Sequence, residues 1–162
     1  MPRSVIREFR PDDLDAVVEL SVRAWTPVFT SLAEVLGSGL FAWMHPDGWP
    51  AAQRKAVAEA CRSEGTHVWV AEAGTAVAGF VAVRFDPAES TGEIHMIAVD
   101  PPYQQEGVGS RLTEFALDRM RERGMALALV ETGGDPGHAP ARRTYERAGF
   151  TPLPIVRYFR RL

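Results

Sequence analysis

The chain has 162 residues, 46% of them hydrophobic, which suits one cored domain and is short for two. A net charge of −3 leaves no strongly basic surface and excludes a general nucleic-acid binder. The single cysteine, Cys61, excludes an internal disulfide. Its longest apolar runs, such as Ala76–Val83 and Met125–Val130, fall far short of the roughly 20 residues of a membrane span, so a cytoplasmic protein with no membrane partner is expected.

Val5–Phe9 reads as a first strand. Pro11, Asp12 and Asp13 then open a helix, with proline early and acids in the first turn, and Leu14, Val17, Val18, Leu20 and Ser21 continue it. From Trp25 to Arg62 the chain reads as helical but broken at Gly37, Gly39, Pro46, Gly48 and Pro50. Thr66–Glu72 and Ala76–Phe85 are strand-like and joined by a hairpin at Ala73-Gly74-Thr75, and Gly92–Val99 is a third such run. A helix over Val108–Arg123 places Val108, Leu112, Phe115, Ala116 and Met120 on one face and ends at Gly124. Met125–Glu131 reads as a buried strand, Thr132–Pro140 as a loop and Ala141–Ala148 as a short helix stopped by Gly149. Phe150–Leu153 and Ile155–Arg161 are expected to form a final strand pair. This order predicts one α/β (α+β) domain over residues 1–162, with a mixed, mostly antiparallel sheet of about six to seven strands and helices on both faces.

The most informative segment is Pro-Pro-Tyr-Gln-Gln-Glu-Gly-Val-Gly-Ser-Arg, from Pro101 to Arg111. A glycine-rich turn at a helix start gathers unobstructed N–H groups at the positive end of the helix dipole, a site for phosphate or pyrophosphate. A Rossmann turn would place a third glycine where Leu112 stands, and a P-loop would end in Gly-Lys-Ser/Thr, which is absent. Arginines cluster at Arg119, Arg121 and Arg123, at Arg142, Arg143 and Arg147, and at Arg157, Arg160 and Arg161; they read as solvated faces, with cofactor phosphates as the alternative partner.

Gln104-x-x-Gly107-x-Gly109, preceded by a strand ending Val99-Asp100-Pro101 and followed by a helix, resembles the coenzyme A signature of the GNAT N-acetyltransferase superfamily. The element order matches that fold from Val5 to Arg161, and Ala141-Arg142-x-x-Tyr145-Glu146-x-x-Gly149-Phe150 is similar to the helix and turn after its fifth strand. The resemblance implies acetyl-CoA as cofactor, its pyrophosphate on the backbone of Gln105, Glu106, Gly107, Val108, Gly109 and Ser110, with Gln104 bracing the loop. It implies that the pantetheine arm pairs like an added strand with Ile97, Ala98 and Val99, the Ile97 N–H facing the thioester carbonyl. It also implies that Tyr145 protonates the departing thiolate; a tyrosine that only packs its helix on the sheet is the plainer alternative. Where many members carry an asparagine against pantetheine, this chain has His138, and Asp135 is a possible substitute.

An amine of pKa about 10.4 is almost wholly protonated at neutral pH, so a base is needed. Glu93 occupies the place of a catalytic glutamate in histone-type members, acting through water, and His95 competes with it. Strand alternation sets Glu93, His95, Ile97 and Val99 on one face. The acceptor is expected opposite the cofactor, against Trp25, Phe29, Trp43, Trp49 and Tyr158, although aromatics at helical spacing are more often core. A small-molecule primary amine is favoured over a protein amine, in a ternary complex with a monomeric or homodimeric protein. A non-catalytic acyl-CoA sensor of the same fold is the rival class, against which Tyr145 and Glu93 both speak. The four histidines lack metal-ligand spacing, so no metal is expected.

Overall fold

The computed structural model describes residues 4–162, in which five strands form one sheet ordered β1-β2-β3-β4-β5. They are β1 (Val5–Glu8), β2 (His67–Ala73), β3 (Ala76–Asp86), β4 (Thr91–Val99) and β5 (Leu127–Val130). The first four pair antiparallel, whereas β5 joins β4 in parallel. A parallel join requires a crossover, and helix α4 (Val108–Glu122) makes it.

Alternating side chains on the strands divide the core into two layers. On one face, Val108, Leu112, Ala116 and Met120 of α4 recur at helical spacing and meet Trp69, Val81, Val83 and Ile94. On the other, Val17 and Leu20 of α1 (Leu14–Leu36) and Val57 of α3 (Trp49–Arg62) meet Val70, Phe80, Ala82 and Ala98. Phe80 is fully buried, with the edge of Trp25 against its ring at 6.4 Å between centroids. Truncating such a side chain to alanine costs about 3–5 kcal/mol.

Helix α1 continues through Pro27 and stops at Gly37, whose φ of 80° ends the helical path. The short α2 (Ser38–Met44) follows, and α3 begins after Gly48. The last helix, α5 (Ala139–Arg147), packs beside α4.

The expected final strand pair does not form. Residues 151–162 carry no secondary structure, and Leu153, Ile155, Val156 and Tyr158 are 71–89% exposed. The sheet therefore has five strands among the described residues instead of six to seven. Pro152 and Pro154 remove two N–H donors from this stretch, and the neighbouring β5 offers an edge of only four residues. Strand-forming composition alone does not supply a partner.

Candidate active site

The site is built where β5 leaves β4. Parallel pairing covers only Thr91–Ile94 with Leu127–Val130, so the second half of β4 has an unpaired side. On its other side, the Asp100 N–H donates to the Ala78 carbonyl at 2.8 Å. By antiparallel alternation, Ala98 and Asp100 turn their polar groups towards β3, while Ile97 and Val99 turn theirs into the open slot. Splaying of neighbouring strands thus exposes main-chain donors at the two positions expected to meet a pantetheine arm.

A short 3-10 turn (Pro101–Tyr103) leads from β4 into the glycine segment. Gln105 and Gly107 have φ of 63° and 81°, and two left-handed residues so close together turn successive amides to one side. Among the described residues, none of the N–H groups from Gln105 to Ser110 meets a protein acceptor, and the first intrahelical bond runs from Arg111 N–H to the Gly107 carbonyl at 3.0 Å. Space beside Gly107 is open, and its positive φ suits glycine. A concave row of free amides at a helix N-terminus fits a pyrophosphate.

Two contacts hold this turn. The Gln104 side-chain amide donates to the Val99 carbonyl at 2.9 Å, a bond that braces the loop against the end of β4. Arg23 of α1 grips Asp100 with two bonds of 2.9 Å, fixing the end of β4 to the helix above it.

Tyr145 lies on α5, is 7% exposed and packs against the edge of Phe150. Burial pushes its phenol up to about 12, so the proton stays on at neutral pH. No protein group is hydrogen-bonded to its hydroxyl among the described residues.

The loop before α5 is tightly organised. Asp135 accepts a hydrogen bond of 2.6 Å from the Ser31 hydroxyl of α1 and another of 3.1 Å from the Gly137 N–H. His138 Nδ1 bonds the other Asp135 oxygen. Burial opposes charge on Asp135, yet the bonds from Ser31 and His138 prevail and hold its carboxyl below the ordinary value. Arg142 closes the loop by donating to the carbonyls of Gly133 and Asp135 at 2.5 and 2.8 Å.

The alternation expected along β4 is interrupted. Ala82 faces Met96 and Val83 faces Ile94, so His95 is an extra residue, a β-bulge. Ile94, Ile97 and Val99 consequently pack towards α4, and Met96 and Ala98 pack towards α1 and α3. Glu93, next to Ile94, shares the α1 face with Met96 and Ala98, not the face of Ile97 and Val99. Burial, then the charge of Arg84, lowers the pKa of His95.

The expected acceptor aromatics separate into groups. Phe29 stacks on Trp49 at 4.3 Å beside Phe41 and His45, whereas Trp25 packs on the core. Trp43 is 56% exposed under the guanidinium of Arg161, and Tyr158 is 89% exposed. The arginines clustered at the end of α4 are engaged within the protein: Arg119 by Glu122, Arg121 by Asp118, and Arg123, just past the helix, over the Phe85 ring. Ser31 and Arg23 carry no sequence signal for their place here, and Arg142 carries none for its contacts. Their partners lie far along the chain or are backbone carbonyls, and no motif announces them.

Residues 18–150 match the model of the acetyltransferase (GNAT) family. A mycothiol acetyltransferase from Acidothermus cellulolyticus is 32% identical across 90% of this chain and 44% of its own length. One from Amycolatopsis mediterranei is 31% identical across 90% and 46%. The chain thus spans less than half the length of these curated relatives. Among solved structures, a GNAT-family protein from Desulfovibrio desulfuricans is 28% identical with a TM-score of 0.68, covering 93% of this chain and 87% of that one. The ribosomal-protein-S18-alanine N-acetyltransferase of Escherichia coli, 22% identical with a TM-score of 0.67 over 93% and 79% of the two chains, shares the fold. This chain belongs to the GNAT acetyltransferase family.

Proposed function

We propose that the protein transfers an acetyl group from acetyl-CoA to a primary amine of a small molecule, by direct attack in a ternary complex. The observation that carries this reading is the run of six unpartnered amides from Gln105 to Ser110, set beside the unpaired half of β4. Those amides hold the pyrophosphate, and the helix dipole of α4 favours its charge. The Val99 N–H pairs with the pantetheine arm, and the Ile97 N–H stabilises negative charge on the carbonyl oxygen. Bound acetyl-CoA supplies the activated thioester.

Tyr145 acts as general acid. Its buried phenol keeps the proton that a departing thiolate requires, and its hydroxyl has no competing protein partner among the described residues. Glu93 sits in the part of β4 that is still paired with β5, so it has no direct path to an amine in the open slot, and any role it has in proton transfer runs through water. The small-molecule preference rests on the α1–α3 layer and its Phe29–Trp49 stack. The names of the relatives, mycothiol acetyltransferases, point the same way.

The test is acetyl-CoA consumption with a panel of primary amines, followed by product masses. Acetylated small amines are expected. Consumption with protein amines alone would move the acceptor class, and binding of CoA without transfer to any amine would indicate a sensor.

A further inference from the structure

The loop between β5 and α5 holds a polar assembly that is separate from the free amides of Gln105 to Ser110. Asp135 lies at its centre, bonded to Ser31 from α1, to His138 and to the Gly137 N–H. The backbone is shaped around it. A Cβ at Gly133 would overlap Asp135 and His138, and one at Gly137 would stand 2.6 Å from the Ser31 Cβ and 3.1 Å from the Pro27 carbonyl. Arg142 pins the two loop carbonyls that frame Asp135. Two glycines, a helix from the other end of the chain and an arginine therefore converge on one carboxylate.

The order of the groups determines what the assembly can do. Ser31 donates to Asp135 and is not bonded to His138, so it is not an activated nucleophile. An ionised Asp135 only accepts, which puts the proton of His138 on Nδ1 and leaves Nε2 as a free acceptor. Among the described residues no protein group is bonded to Nε2, and it is not one of the buried unpartnered atoms. The charged group bonded to the imidazole is Asp135; around the same loop Arg142 donates to the Gly133 and Asp135 carbonyls, and α1 contributes the Ser31 hydroxyl and the Pro27 carbonyl. His138 caps the N-terminus of α5 and Tyr145 follows seven residues later in the same helix, about two turns on.

We propose that His138, oriented by Asp135 and Ser31, is the proton acceptor for the amine, a step that rests on the acetyl-transfer reading above. The acceptor ammonium gives one proton to His138 Nε2, and the freed lone pair forms the bond to the acetyl carbon. The carbon–sulfur bond breaks with its electron pair on sulfur, which takes the Tyr145 proton. The second proton lost by the nitrogen restores the phenol, and His138 releases its own to water. Asp135 and Ser31 are positioning residues.

Nitrogen NMR of the free protein comes first. It should report the neutral His138 ring with its proton on Nδ1 and a bare Nε2, a preference that Asp135→Asn removes. Single-turnover transfer to the best amine of the panel should rise with pH as the imidazole loses its proton. His138→Gln should abolish that limb and slow transfer by about 10²–10⁴-fold, with CoA affinity unchanged by calorimetry. Asp135→Asn should displace the limb. A limb kept in His138→Gln but lost in Glu93→Gln would overturn the assignment. Weakened CoA binding in His138→Gln would instead make the histidine a grip on the pantetheine arm. A wild-type protein that binds CoA but acetylates no amine would remove the underlying reaction, whatever tautomer His138 shows.

Discussion

The turn after β4 and the segment after α5 are both short, irregular and near the surface, yet they are held in quite different ways. Between Asp100 and Ser110 the contacts are specific: Gln104 braces Val99, Asp100 is clamped by Arg23, and six amides converge. From Thr151 to Leu162 apolar side chains stand in solvent, and Arg161 lies over the Trp43 ring. Order in the turn comes from local chemistry: left-handed residues, a helix start and a side-chain brace. Order in the last segment would need a neighbouring strand. Sequence that organises itself can carry a binding site; sequence that waits for a partner cannot.

The largest effect should come from blocking the turn. Gly107→Glu or Gly109→Glu inserts a carboxylate among the free amides, by bulk and by like charge, and should abolish acetyl-CoA binding by calorimetry while the fold survives. Next is Tyr145→Phe, which keeps the ring against Phe150 and removes only the hydroxyl. Single-turnover acetyl transfer should fall by about 10²–10⁴-fold with CoA affinity intact. Burial that holds the phenol near 12 also predicts that kcat/KM shows no falling alkaline limb from this residue until pH approaches that value. The smallest effect should follow removal of residues 151–162. Stability should change by less than about 0.5 kcal/mol in denaturant unfolding, against about 3–5 kcal/mol for Phe80→Ala. A large loss on that truncation would mean the segment docks, and the contrast with the turn would narrow.

What can be read from the sequence follows the same division. The glycine turn, the face of α4 and the approximate positions of the helices rest on spacing within a few residues. The bulge at His95 is hidden there, because it depends on register with β3, and it turns Glu93 away from the face of Ile97. Ser31 and Asp135 are 104 positions apart, so only the folded chain brings them together. The final strand pair is absent because apolar alternation carries no information about which edge is free.

The central claim is that the amides of Gln105 to Ser110 receive the pyrophosphate. An amide NMR titration with coenzyme A tests it residue by residue. The largest downfield shifts should fall on those six N–H groups, with Ile97 and Val99 following as the pantetheine arm pairs with β4. Shifts gathered elsewhere, with the six amides unmoved at saturating coenzyme A, would contradict it.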